Sequence, residues 1–154
     1  PPSLVTPVMA TFSQLQLDRH EVIEVGDLEF GKQIGQGNHG VIFVAWHRPT
    51  GRPMAIKEIP IETAGIDFKQ VVSELSVLSQ SQSPFIIDFY GAFLHSTSVF
   101  LCLELMDIGS LSRLMRHQKG EPIPSPVLAA ITYQVILGME FLRTELQMAH
   151  RGID

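Results

Sequence analysis

Gly35-Gln36-Gly37-Asn38-His39-Gly40 is the stretch of this chain whose residue types and spacing are best suited to chemistry on a polyanion. Glycine has no Cβ and tolerates positive φ, so a backbone turn built on it lies close over phosphate oxygens. The hexapeptide alone fits three readings: the opening turn of a dinucleotide-binding helix, a flap over the phosphates of a nucleotide, or an ordinary hairpin turn. A second residue needs explaining. Lys57 sits in the middle of the apolar run Met54–Ile59, where a lysine either snorkels to solvent or has charge to meet.

The residues after Gly40 separate the first two readings, because a dinucleotide fold needs a helix whose N-terminus receives the pyrophosphate. Val41-Ile42-Phe43-Val44-Ala45-Trp46 is β-branched and aromatic with no N-cap before it, and reads as a strand. The glycines therefore form a hairpin loop between that strand, Val41–His47, and an earlier one, Leu28–Ile34. The turn Arg48–Pro53 leads to a third strand, Met54–Ile59, whose alternation places Ala55 and Lys57 on one face. Phe68, Val71, Val72, Leu75 and Leu78 recur at helical steps and predict a helix over 68–79. Glu74 borders its apolar stripe. On its own it is a surface residue, but pairing with Lys57 accounts for both charges, since a partly buried charge is costly unless matched.

The rest of the chain supplies scaffold. Ile86–Phe93 and Ser98–Glu104 read as strands four and five around the turn Leu94–Thr97, so five antiparallel strands carry one inserted helix. A linker from Met106 runs into a short helix, Ser110–His117, then a polar turn, Gln118–Ser125, and an amphipathic helix over about Pro126–Glu145. Residues 1–24 are rich in proline and polar side chains and read as a flexible leader; 25–105 form one unit and 106–154 the start of another. With 154 residues, 45% hydrophobic and 18% charged, the chain is large enough to bury a core. Its net charge of −5 gives no reason to expect nucleic acid or an anionic membrane as partner. No uninterrupted apolar run approaches the ~20 residues of a bilayer span, and no signal peptide is seen. The single cysteine, Cys102, excludes an internal disulfide and fits a reducing, cytoplasmic setting. The six histidines show no metal-ligand spacing.

These pieces together resemble the N-terminal half of a eukaryotic protein kinase domain: Ile34–Gly40, Ala55-Ile56-Lys57, Glu74, the hinge-like Leu103-Glu104-Leu105-Met106, and His150-Arg151. Ser83–Phe93 and Met106-Asp107-Ile108-Gly109-Ser110-Leu111 are similar to the MAP kinase kinases. The resemblance implies an α+β, protein-kinase-like fold, with a five-stranded antiparallel sheet and one regulatory helix followed by the first helices of a truncated helical lobe. It also implies an ATP site. Gly35, Gly37 and Gly40, with Gln36, Asn38 and His39 between them, would bring backbone amides to the β- and γ-phosphates. Lys57, oriented by Glu74, would hold the α- and β-phosphates. Ile34, Ile42, Ala55 and Leu103 would form an apolar slot for adenine, with the backbone at Glu104 and Met106 on its polar edge. Leu78, Phe89 and His150 would stack as a hydrophobic spine. A parent enzyme would use Mg2+, phosphorylate a MAP kinase and answer to an upstream activating kinase.

One departure stands out. The family's catalytic loop reads His-Arg-Asp, whereas this chain has His150-Arg151-Gly152, then Ile153-Asp154, and glycine cannot accept the substrate hydroxyl's proton. Gly152 thus raises an alternative from another class, a catalytically inactive kinase-like module that binds or scaffolds. The apolar face of the last helix is also expected to be poorly anchored unless another chain covers it.

Overall fold

Alternating β-branched and aromatic residues build five strands: β1 (Leu28–Gly37), β2 (Gly40–His47), β3 (Arg52–Pro60), β4 (Phe89–His95) and β5 (Ser98–Glu104). A computed structural model describes residues 23–37, 40–60, 79, 81–117 and 121–148. Every neighbouring pair of strands is antiparallel, and the order β1-β2-β3-β5-β4 leaves β1 and β4 at the edges. A five-stranded antiparallel sheet followed by helices is the expected architecture. The segment 68–79 lies outside the described residues except for Ser79, and so do Glu74, Asn38, His39, Leu78, His150 and Gly152.

Every strand limit falls within three residues of the one read from the sequence, and β4, shifted at both ends, departs furthest in sum. It starts at Phe89 rather than Ile86. Ser83 closes a turn first, its carbonyl accepting from Ile86 N–H at 3.1 Å and its hydroxyl from Phe85 N–H at 3.3 Å. β4 instead runs on to His95, and the turn shortens to Ser96-Thr97, with Ser96 at φ +53°. Between β2 and β3 the chain reverses over Arg48–Gly51. The His47 carbonyl accepts from Gly51 N–H at 2.7 Å, and buried His47 pairs its Nδ1 with Thr50 Oγ1 at 2.8 Å.

Register divides the sheet into two faces. Leu28, Ala45, Met54, Ile56, Phe93, Phe100 and Cys102 form a buried cluster joined by Ile23, with Phe93 and Phe100 stacked at 5.1 Å between ring centroids. Burial pushes the Cys102 thiol from 9.0 up to about 12. The unfolded chain therefore releases this proton first, so stability falls as pH rises from about 9 towards about 12, by about 1.4 kcal/mol per pH unit at most. Cys102 is expected to resist iodoacetamide at mildly alkaline pH in the folded protein and to react in denaturing urea. Mass spectrometry of the carbamidomethylated chain checks this, and rapid native labelling would contradict it.

The chain divides into two compact units, 1–80 with 88–105 and 81–87 with 106–154. In the second unit, Gly109 turns at φ +80° before α1 (Leu111–His117), and the Ser110 hydroxyl accepts from Arg113 N–H at 3.3 Å. α2 (Ser125–Thr144) opens with Pro126 in its first turn, where a missing N–H costs nothing. Gly138 is buried because an added Cβ would meet the Phe85 carbonyl oxygen at 3.0 Å and Ile86 at 3.5 Å. Leu142 is the other buried residue of α2, whereas Val127, Leu128, Val135 and Ile136 are each more than two-fifths exposed. By length and composition α2 is long and apolar enough to cross a membrane. Counting uninterrupted apolar runs had missed this, because scattered Thr, Tyr and Gln break the run without making the helix polar.

Candidate functional site

The glycine hairpin is held from both sides. Gly35 lies opposite Ile42, Gln36 opposite Val41 and Gly37 opposite Gly40. Gly40 has φ +146°, and a Cβ there would collide with the Glu58 carbonyl oxygen of β3. Its identity is therefore dictated by the protein's own backbone. Gly35 is different: a Cβ would meet only the side chain of Ile42, at an ordinary 3.4 Å. Nothing in the described fold demands glycine at 35.

Cross-strand pairing then assembles the face opposite the Phe93–Phe100 stack. Ile42 pairs with both Gly35 and Lys57, and Lys57 with Leu101, giving one row across four strands. The next row is Val44, Ala55 and Leu103, with Phe89 opposite Leu103. Residues two apart on a strand share a face, so Ile42, Ala55, Lys57 and Leu103 stand on one surface. Lys57 is half-buried there. Ile34 is the extra residue in the register shift between Gln33 and Gly35, a bulge that takes it out of the ladder. Val44 and Leu101 were missed as site residues. Both are buried on the Lys57 face, and period-two counting from Ile42 and Leu103 would have found them.

Glu104 ends β5, and its N–H donates to the Asp88 carbonyl at 2.9 Å. With that N–H engaged, it is not available as a donor to a ligand's polar edge, which narrows the expectation. Met106, in the second unit, is half exposed, and its carbonyl accepts from Gly109 N–H at 3.1 Å. Beside Glu104, the Arg52 guanidinium lies 4.8 Å from the Tyr90 ring centroid. The Tyr90 hydroxyl is raised above its usual range first by burial, then by the Asp88 and Glu104 carboxylates, with Arg52 opposing. Among the described residues no three His, Cys, Asp or Glu side chains gather into a metal site.

A strand-hairpin-strand flap, a lysine on the inner row of an antiparallel sheet and an apolar row beside it are the parts of one family. Residues 28–153 match the model of the protein kinase domain, and the chain belongs to that family. Among its relatives, protein kinase wis1 of Schizosaccharomyces pombe is 38% identical over 141 residues, covering 92% of this chain and 22% of the relative. MAP kinase kinase PBS2 of Saccharomyces cerevisiae is 38% identical over 132 residues, 85% of this chain and 20% of the relative. Dual specificity mitogen-activated protein kinase kinase 1 of Dictyostelium discoideum is 37% identical over 130 residues, 84% and 19%. The chain thus spans about a fifth of the length of these relatives.

Proposed function

We propose that this chain is the ATP-binding part of a MAP kinase kinase-type protein kinase whose parent enzyme transfers the γ-phosphate of ATP to Ser, Thr or Tyr of a MAP kinase. The carrying observation is the row Gly35–Ile42–Lys57, which sets a half-buried ammonium across the sheet from a glycine that the fold itself does not require. ATP supplies the phosphoryl group. Gly35, Gly37 and Gly40 shape the flap, with Gln36, Asn38 and His39 in it, while Lys57, paired with Glu74, holds phosphate charge. Ile34, Ile42, Ala55 and Leu103 receive the base, and Glu104 bonds its edge. Mg2+ accompanies the nucleotide, and no residue of this chain is assigned to it.

The relatives' printed names are those of kinases, which supports a transferase, and no comparison favours an inactive module. Gly152 offers no side chain to accept a proton, so binding and transfer are tested separately. Titration of this chain with ATP tests the first; phosphate incorporation into a MAP kinase by the intact parent tests the second. An upstream activating kinase and a cytoplasmic setting complete the reading, the latter resting on the single cysteine.

Gly35→Ala gives a sharp expectation. Folding stability should stay within about 0.5 kcal/mol of wild type, because the new methyl makes only ordinary contact with Ile42. ATP affinity should fall roughly tenfold as the methyl holds the flap off the phosphates. Equal ATP affinity in the variant would show that nothing approaches this glycine.

A further inference from the structure

Two polar residues are buried among those described, His47 and Ser98. His47 pairs within its own turn with Thr50, whereas the Ser98 hydroxyl donates at 2.9 Å to Oε1 of Glu58, 40 residues away in the chain. Where β3 ends, Pro60 lies opposite Ser98 and Glu58 opposite Phe100, which makes Ser98 and Glu58 diagonal neighbours on one face, within reach of a long side chain. Pro60, lacking an N–H, cannot donate to the main-chain ladder at this last pair. The bond from Ser98 to Glu58 adds a tie between the two strands at that end. Glu58 directly follows Lys57, and its main-chain carbonyl fills the place a Cβ would take at Gly40. The ammonium and the closing glycine of the hairpin therefore meet at residue 58.

We propose that Ser98 is a positioning residue for the triphosphate end of a nucleotide, acting through Glu58. The inference deepens the nucleotide reading above and rests on it. By holding the Glu58 side chain, the Ser98 hydroxyl fixes the stretch of β3 against which Gly40 closes and from which Lys57 projects. Alternation sends the Glu58 side chain to the sheet face opposite Lys57, so its own charge does not face the phosphates. Across the strands Glu58 lies between Val41 and Phe100, both apolar. Without the hydroxyl, the carboxylate loses its partner in that row and turns to solvent, and the end of β3 loosens with it. The loss falls on the phosphates and not on the base, since Ala55 and Leu103 are held by their own pairing further along β3 and β5.

The test is titration of ATP and adenosine into the wild-type chain, Ser98→Ala, Glu58→Met and Glu58→Gln. Ser98→Ala and Glu58→Met, which remove the donor and the acceptor in turn, should each lose about fivefold in ATP affinity with adenosine affinity unchanged, the effect of one hydrogen bond. Glu58→Gln keeps an oxygen acceptor and should hold the wild-type ratio of ATP to adenosine affinity. Ser98→Ala combined with Glu58→Met should lose no more than either change alone, because the two side chains act as one bond. An unchanged ratio in Ser98→Ala overturns the proposal. So does an equal fall in ATP and adenosine affinity, the mark of a purely structural role, and so does a loss in Glu58→Gln as large as that in Glu58→Met. Should Ser98→Ala fail to fold, Glu58→Met carries the same expectation and the same overturning result. A wild-type chain that binds neither ATP nor adenosine overturns the nucleotide reading itself, an outcome distinct from binding without a change of ratio.

Discussion

Replacing Lys57 with methionine should weaken ATP binding by about 10- to 150-fold while the sheet stays folded. The side chain sits half-buried between Ile42 on β2 and Leu101 on β5, both apolar, so methionine of similar reach fills the same space. What disappears is a charge-assisted bond to phosphate, of about 1.5–3 kcal/mol, in a place where water cannot replace it fully. A fluorescent ATP analogue displaced by ATP measures the affinity, and urea denaturation measures the fold. Survival of ATP affinity in a folded Lys57→Met would remove Lys57 from the site.

Gly40→Ala should act the other way, on folding before binding. At φ +146° an L-residue is strained, and here its Cβ also meets the carbonyl oxygen of Glu58, which belongs to the β3 backbone and cannot rotate aside. A loss of about 3 kcal/mol is expected, roughly the sum of a backbone penalty and a small displacement of β3. The urea midpoint of Gly40→Ala against Gly35→Ala is the decisive comparison. Equal midpoints would mean that the hairpin relaxes freely and that the close approach to Glu58 carries no energy.

The sheet was legible in the sequence because its signals are local. The β-branched run after Gly40, the alternation around Lys57 and the stretch Ser98–Glu104 each fix a strand, and β5 falls on the limits read for it. β4 was misjudged because Ile86 and Ile87 are strong strand formers used elsewhere: the Ser83 turn interrupts the chain, and Ile86 packs towards Gly138 of α2. That is tertiary packing overriding propensity, which a single sequence does not display. The row Gly35–Ile42–Lys57 was only half visible. Alternation put Ala55 and Lys57 on one face, but the partners across the strands depend on register, and in β1 register depends on bulges that leave no local signature. Glu74 and Gly152, both read from motif position, lie outside the described residues. The different reasons for glycine at 35 and at 40 were illegible too, since one lies in β3, reached through a register the glycines themselves do not encode.

The two register shifts in β1 also bear on how copies of this protein behave at high concentration. β1 is an outer strand, and an outer strand with an even row of N–H and C=O groups invites a strand from another molecule to add to it. Here the row is broken between Phe30 and Gln33 and again between Gln33 and Gly35, with exposed Lys32 inside the first break. An incoming strand would lose register twice within ten residues and meet a charge. The same irregularity that shapes the flap thereby guards the sheet against growing into an aggregate along that edge.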